Sequence, residues 1–124
     1  MLFNNEAWYR AIYLGDCPVG FVMLRDETLR ATPPVAPKVT LWRFMVDAKF
    51  QGRGIGKAAL EQVIAHTRGK KAFSSLSTSY VPGPGCPEPF YYWLGFRPTG
   101  LVKNGEVVLE LPLLQVRPEQ PQAL

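Results

Sequence analysis

Apolar and polar positions along this chain repeat with two different periods. Trp8–Leu14 (WYRAIYL) and Pro18–Arg25 (PVGFVMLR) are short runs of aromatic and branched residues parted by Gly15-Asp16. Runs of that kind on either side of a turn signal predict a β-hairpin. Leu41–Val46 (LWRFMV) is nearly continuous apolar sequence, too short for an independent helix, and predicts a central strand buried on both faces. From Lys57 to Thr67 the period lengthens: Leu60, Val63, Ile64 and Thr67 recur at helical spacing with no Pro or Gly between them. Ala72–Tyr80 (AFSSLSTSY) alternates as a strand, and Phe90–Leu94 reads as a short helix ended by a Gly95 cap. Arg97–Val102 and Glu106–Leu113 flank Lys103-Asn104-Gly105, and Asn-Gly between two strand-like runs is a strong hairpin signal. Asp26–Lys38, with Pro33, Pro34 and Pro37, and Val81–Pro89 (VPGPGCPEP) are loops. The predicted order is β-β-β-α-β-α-β-β, an α/β (α+β) chain with no internal repeat. Residues 1–115 form one domain, and 116–124, carrying Pro118 and Pro121, are a frayed tail.

The central strand and the long helix are joined by Gln51-Gly52-Arg53-Gly54-Ile55-Gly56, with glycine at alternate positions. Strand, glycine turn and helix in that order gather backbone N–H groups and the positive end of a helix dipole at one spot, which suits an anion, most often a phosphate. A P-loop would end in Gly-Lys-Ser/Thr, and here Lys57-Ala58 follow Gly56. A dinucleotide turn would carry its third glycine one position beyond Gly56. Neither pattern fits. The glycines alone also suit an ordinary tight strand-to-helix turn, so the flanking segments must decide.

Composition narrows the classes further. The chain has 124 residues, 47% hydrophobic, enough for a modest single core. Its net charge of +4 is spread out, with no basic run beyond Arg68-Gly69-Lys70-Lys71, and so does not imply a nucleic-acid surface. A mild positive balance does suit a polyanionic small molecule. Two distant cysteines, Cys17 and Cys86, and a single His66 offer no usual metal-ligand spacing, so no metal is expected. That cysteine usage points to a reducing, cytoplasmic compartment, with a Cys17–Cys86 bridge as the alternative. Met1-Leu2-Phe3 runs at once into Asn4-Asn5-Glu6, which predicts no signal peptide, and no apolar run is long enough for a membrane span.

The spacing V-x-x-x-x-Q-G-x-G-x-G from Val46 to Gly56, with Tyr91-Tyr92-Trp93-Leu94-Gly95-Phe96 downstream, resembles the GNAT superfamily of N-acetyltransferases. The resemblance covers essentially Trp8–Leu113. Its wording (AIYLGDCPVGFVML, LWRFMVDAKFQGRGIGKAALE, SYVPGPGCPEPFYYWLGFRPTG, GEVVLELPL) is most similar to the diamine and spermidine N-acetyltransferase-like branch. It implies the GNAT fold, a mixed, mostly antiparallel sheet with two helices. Only Met1–Ala7 precede the first strand here, whereas the family usually places a further strand and two helices ahead of it. The resemblance therefore implies an N-terminally shortened form with an exposed sheet edge, a feature that favours a homodimer.

The activity implied is direct transfer of acetyl from acetyl-coenzyme A, a co-substrate, to a primary amine, a small diamine or polyamine by the branch resembled. An aminoglycoside, an amino acid or a protein N-terminus are alternative acceptors, and a non-catalytic coenzyme-binding remnant is the alternative from another class. The partners implied are acetyl-coenzyme A and the amine, with no nucleic acid and no membrane. The coenzyme would be held by Gln51, Gly52, Arg53, Gly54, Ile55, Gly56 and Lys57 and by main-chain groups of Phe44, Met45 and Val46. In the family the strand after the long helix splays from the central one and leaves those groups free. Tyr91, four residues before Gly95-Phe96, matches the family's proton donor, with Tyr92 the neighbour that could be mistaken for it. An Asn that family members often carry ahead of this helix has no counterpart in Pro84–Pro87. Arg43, Asp47 and Glu88 are the acceptor-side candidates. Each has a plainer reading: Arg43 as half of a buried ion pair, Asp47 as a strand-end turn residue, Glu88 as a favourable charge at a helix start. His66, late on the helix, reads as a solvent-facing residue, and Cys86 has no His partner nearby to make it a nucleophile.

Overall fold

The computed structural model describes residues 6–113; the tail expected over 116–124 lies outside the described residues. The elements alternate as the sequence predicts, with β1 (Ala7–Leu14), β2 (Cys17–Asp26), β3 (Val39–Val46), α1 (Ile55–Lys70), β4 (Ser75–Tyr80), α2 (Glu88–Leu94), β5 (Arg97–Lys103) and β6 (Glu106–Pro112), plus single 3₁₀ turns at Glu27–Leu29 and Ala48–Phe50. The strands form one sheet in the order β1-β2-β3-β4-β6-β5. Every pairing is antiparallel except β3 with β4, because α1 carries the chain back over the sheet before β4 begins. Asn104 and Gly105 adopt positive φ (51° and 78°) and close the β5–β6 hairpin, the backbone an Asn-Gly turn supplies.

Side chains from both helices and the sheet meet in one core. Leu60, Val63, Ile64 and Thr67 are the buried face of α1, the four positions its periodicity marks. Leu60, Val63 and Ile64 pack with Val22, Leu24, Val39, Leu41, Leu76, Phe96, Leu109 and Leu111. In β4 the alternation is strict: Leu76, Thr78 and Tyr80 are buried while Ser75, Ser77 and Ser79 lie half-exposed on the other face. The strand starts at Ser75 rather than Ala72. Asp26 is buried at the end of β2 and accepts hydrogen bonds from the Thr28 N–H (2.8 Å), the Thr28 hydroxyl (2.6 Å) and the Lys70 ammonium (2.8 Å). Burial pushes its carboxyl up, but those bonds together outweigh it and hold it below the usual range.

β3 departs from the expectation of a strand buried on both faces. Val39 and Leu41 are buried, yet Trp42 and Met45 are 47% and 59% exposed. The cause is a bulge: Leu24 pairs with Leu41 and Met23 with Arg43, so Trp42 is an extra residue and the facing of the strand reverses beyond it. Phe44 then turns to the helix side, where it packs against the core. Arg43, expected to need a buried partner or a cleft, is exposed, with no ion pair among the described residues.

His66 also differs from its solvent-facing reading. Its ring stacks on Trp8 of β1 (centroids 4.5 Å apart, 25° between planes), and its Nε2 is buried with no hydrogen-bond partner. Burial, then the nearby Lys70, push its pKa below 6.5; Asp26 opposes and Arg10 adds to the lowering. The unfolded chain therefore takes up the proton first as pH falls. Stability should be intact above the unfolded value of about 6.5 and decline toward the lower folded value. Thermal midpoints measured from pH 7.5 to pH 5 should show this decline in the parent, and His66→Phe, which keeps the ring stack, should flatten it. An equally steep decline in the variant would remove His66 as its source.

Candidate active site

The site is built where β3 and β4 part. Their ladder has only two pairs, Val39↔Leu76 and Thr40↔Ser77, so beyond Thr40 the strands fork. Which main-chain groups face the fork follows from the other side of β3. The Asp47 N–H donates to the Val19 carbonyl at 2.7 Å. Antiparallel partners alternate between bonded and non-bonded pairs, which makes Phe21↔Met45 a bonded pair and Gly20↔Val46 and Val22↔Phe44 non-bonded ones. The N–H and C=O of Phe44 and Val46 thus turn away from β2, into the fork. Met45 is a correction to the expected set: its main chain faces β2, where its carbonyl oxygen fills the space a Cβ on Gly20 would need.

At the open end of the fork the chain makes a 3₁₀ turn and then the glycine turn. The Asp47 carboxylate accepts from the Lys49 N–H (2.9 Å) and caps the 3₁₀ turn, the plainer of its two readings. Gln51 donates from Nε2 to the Val46 carbonyl (2.8 Å), which ties the turn back to the strand end and leaves the Val46 N–H as the free group there. Gly52 and Gly54 have φ of +79° and +81°, values that side chains rarely adopt. Gly54 is the N-cap of α1, with no side-chain cap bond, and the first helical bond comes from the Ala58 N–H to the Gly54 carbonyl. The N–H groups of Ile55, Gly56 and Lys57 are therefore first-turn donors without a helical acceptor, in a turn whose glycines are exposed or half-buried. An anion satisfies such donors, and the residues present fit a pyrophosphate. Arg53 rests over the Phe50 ring at 5.3 Å, and Lys57 pairs with Glu61 at 2.8 Å.

α2 docks onto the same place. Phe90 lies parallel to Phe44 (6.2 Å, 8°), and a Cβ on Gly56 would sit 3.5 Å from the Phe44 ring and 3.8 Å from Phe90. Tyr91 is buried, with its ring against Phe90 (5.6 Å) and edge-on to Phe96 (5.4 Å). Burial raises the phenol pKa above 10, and a hydrogen bond from Thr78 pulls it part of the way back. Thr78 is the first β4 residue past the last β3–β4 pair, so the Tyr91 hydroxyl stands at the point where the strands separate. Tyr92 carries the Arg97 guanidinium 5.5 Å over its ring, and burial, then Glu88, push its pKa up. Glu88 accepts from the Tyr80 hydroxyl at 2.9 Å and helps push that phenol up to about 12.

The fork thus brings together Phe44, Val46, Gln51, the glycine turn, Lys57 and Tyr91. It does not gather Arg43, Asp47 and Glu88 into one cluster. Thr78 and Phe90 escape a reading of the sequence: a threonine in a serine-rich strand and a phenylalanine in an aromatic run carry no local signal, and only the register of β4 and α2 reveals them.

The profile of the Acetyltransferase (GNAT) family matches residues 2–83, more than half of the chain. Among solved structures, the chain is similar to an acetyltransferase from Thermus thermophilus (TM-score 0.69, 24% identity, 86% of this chain and 64% of that one). It is also similar to the PaiA N-acetyltransferase of Thermoplasma acidophilum in complex with coenzyme A (TM-score 0.70, 16% identity, 86% and 61%). A third is the ribosomal-protein-S18-alanine N-acetyltransferase of Escherichia coli (TM-score 0.72, 16% identity, 94% and 75%). The chain spans less than two thirds of the length of the first two. At these identities the likeness is one of fold. No curated protein sequence matches the chain.

Proposed function

The chain belongs to the acetyltransferase (GNAT) family, and on that premise we propose that it transfers acetyl from acetyl-coenzyme A directly to a primary amine. The observation that carries this reading is the fork: a β3 edge with free main-chain groups, leading into a helix N-terminus whose donors are unsatisfied. Bound there, acetyl-coenzyme A supplies an activated acetyl thioester. The N–H groups of Gly52–Lys57 hold its pyrophosphate, and Phe44 and Val46 pair with its extended arm as a strand would. The Val46 N–H stabilises the negative charge that develops on the carbonyl oxygen, a contribution of roughly 2.7–4 kcal/mol for one such donor. Tyr91 gives its proton to the departing thiolate. Because burial raises its pKa, the phenol keeps that proton at neutral pH until a strong base appears beside it. The ammonium gives one proton to water before attack, and the proton lost from nitrogen as the amide forms returns through water to the Tyr91 phenolate.

The acceptor is proposed to be a small diamine or polyamine, by the branch the sequence resembles. A protein N-terminus, an amino acid or an aminoglycoside is the second reading. Asp47 and Glu88 are the anionic candidates for an ammonium group, each with a carboxylate oxygen already accepting a hydrogen bond within the protein, and Arg43 lies on the exposed stretch of β3 four residues before Asp47. The protein is proposed to act in the cytoplasm as a homodimer. Incubating it with acetyl-coenzyme A and spermidine, putrescine, an aminoglycoside, free amino acids and a short peptide, with products read by mass spectrometry, tests the assignment. Acetylation confined to the polyamines is the expected outcome. Acetylation of the peptide alone would move the acceptor to protein N-termini. A folded protein that binds the coenzyme yet acetylates nothing would fit a non-catalytic remnant instead.

A further inference from the structure

The two helices cover one face of the sheet and leave the other open. Trp8 of β1 stacks on His66 of α1, so Tyr9, Ala11 and Tyr13, which alternate with it, point to the open face. In β2 Val22 and Leu24 enter the core with α1, which leaves Phe21 and Met23 on that face. In β3 Phe44 turns to the helix side, which leaves Arg43 and Met45. The register makes these side chains neighbours: Tyr9 pairs with Met23 and Ala11 with Phe21, and Met23 and Phe21 pair in turn with Arg43 and Met45. Val19 and Met23 are buried yet lie outside the core that α1 and α2 complete. A second apolar layer therefore starts on the open face, and no helix covers it among the described residues. Its surface is rich in rings: Tyr9, Tyr13, Trp42 and Met45 are 46%, 60%, 47% and 59% exposed. At those fractions side chains of this size offer on the order of 100 Å² each. The four supply about half of the roughly 800 Å² that each partner of a stable complex covers. Arg43 is the one charged side chain among them, and no acid lies beside it in the patch.

We propose that this face of β1, β2 and β3 is the contact surface of the homodimer, with the Arg43 guanidinium of each copy laid over an aromatic ring of the other. A patch that carries rings and a cation but no acid is complementary to itself. Each copy supplies the ring that the other's Arg43 lacks, and a two-fold axis makes the contact twice. An acidic partner would find a single arginine to pair with and would set its charges against the rings. Tyr, Trp, Met and Arg are also the residues enriched at the centres of interfaces, where Lys, Glu and Asp are depleted. The contact bears on the fork as well. Arg43 and Met45 belong to the strand whose Phe44 and Val46 groups edge the fork, so a second copy covers the open face of that strand and keeps water from it. This inference rests on the homodimer proposed above and assigns its surface; it does not depend on which amine is acetylated.

The test reads molar mass by gel filtration with light scattering, from low to high micromolar concentration. It compares the parent with Arg43→Ala, Arg43→Lys, Val102→Glu and the double variant Trp42→Ala/Met45→Lys. The parent should run as a dimer. The double variant removes a ring and adds a cation where no acid stands to meet it. It should run as a monomer throughout, with the circular dichroism of the parent because both positions are exposed. Arg43→Ala should raise the dissociation constant about tenfold or more, and Arg43→Lys, which keeps a cation, should raise it less. Val102 is 66% exposed on β5, at the far edge of the sheet from β1, and Val102→Glu should dimerise as the parent does. A double variant that remains a dimer would overturn this face and leave a homodimer formed elsewhere, the β1 edge foremost. A parent that stays monomeric would overturn the homodimer as well. No acetyl transfer enters the measurement, so either result leaves the catalytic reading of the fork in place.

Discussion

Gly54→Glu should abolish the thermal stabilisation that acetyl-coenzyme A gives the parent protein, and reduce acetyl transfer below detection. Two effects add at this position. Gly54 has φ of +81°, so any side chain there adopts a left-handed conformation that costs about 1–2 kcal/mol. No atom lies within 4 Å of where its Cβ would be, so the new carboxylate has room to fold over the α1 N-terminus and satisfy the donors itself. That places a fixed negative charge where the pyrophosphate would bind. With ligand at about 100 times its dissociation constant, the parent should gain about 2.7 kcal/mol, several degrees for a domain of this size. The variant should gain nothing. Gly54→Ala separates the two effects: it should lose stability through strain yet keep a reduced shift, because no charge is introduced. A full shift in Gly54→Glu would mean that the anion binds elsewhere.

The same turn shows how much of the protein is legible in its sequence. Element order, the buried face of α1 and the Asn104-Gly105 hairpin can be read directly, because each depends on local rules: helical periodicity, alternation, and the backbone preferences of Gly and Asn. The glycine turn is equally plain, since Gly52 and Gly54 are placed by a φ that other residues avoid. What cannot be read is whatever depends on register. The bulge at Trp42 leaves no mark in an apolar run, yet it turns Phe44 toward α2 and exposes Arg43. His66 looks like a polar residue late on an amphipathic helix until β1 lays Trp8 across it. Met45 enters the expected coenzyme set only because it lies between Phe44 and Val46, and alternate pairing with β2 takes its main chain out of the fork. Asp47 shows the opposite case: its capping bond to Lys49 is local, and the local reading anticipates it.

Tyr91→Phe is expected to lower kcat by about 10²–10⁴-fold, the range for removing a positioned general acid, while KM for acetyl-coenzyme A changes little. The split follows from when the hydroxyl acts. Its proton is needed as the thiolate leaves, so its removal affects the transition state and not ground-state binding by the glycine turn. The ring itself should stay in place, held by Phe90 and Phe96 in the core. Tyr92→Phe is the matched control and should lower kcat far less, because the Tyr92 ring lies against Arg97 and its hydroxyl against Glu88. The pH profile supplies an independent readout. Burial raises the Tyr91 pKa, so the alkaline fall in kcat that reports loss of its proton should lie above pH 10 in the parent and vanish in Tyr91→Phe. A Tyr91→Phe variant with parental kcat would show that the buried phenol only packs, and that the departing thiolate takes its proton from solvent.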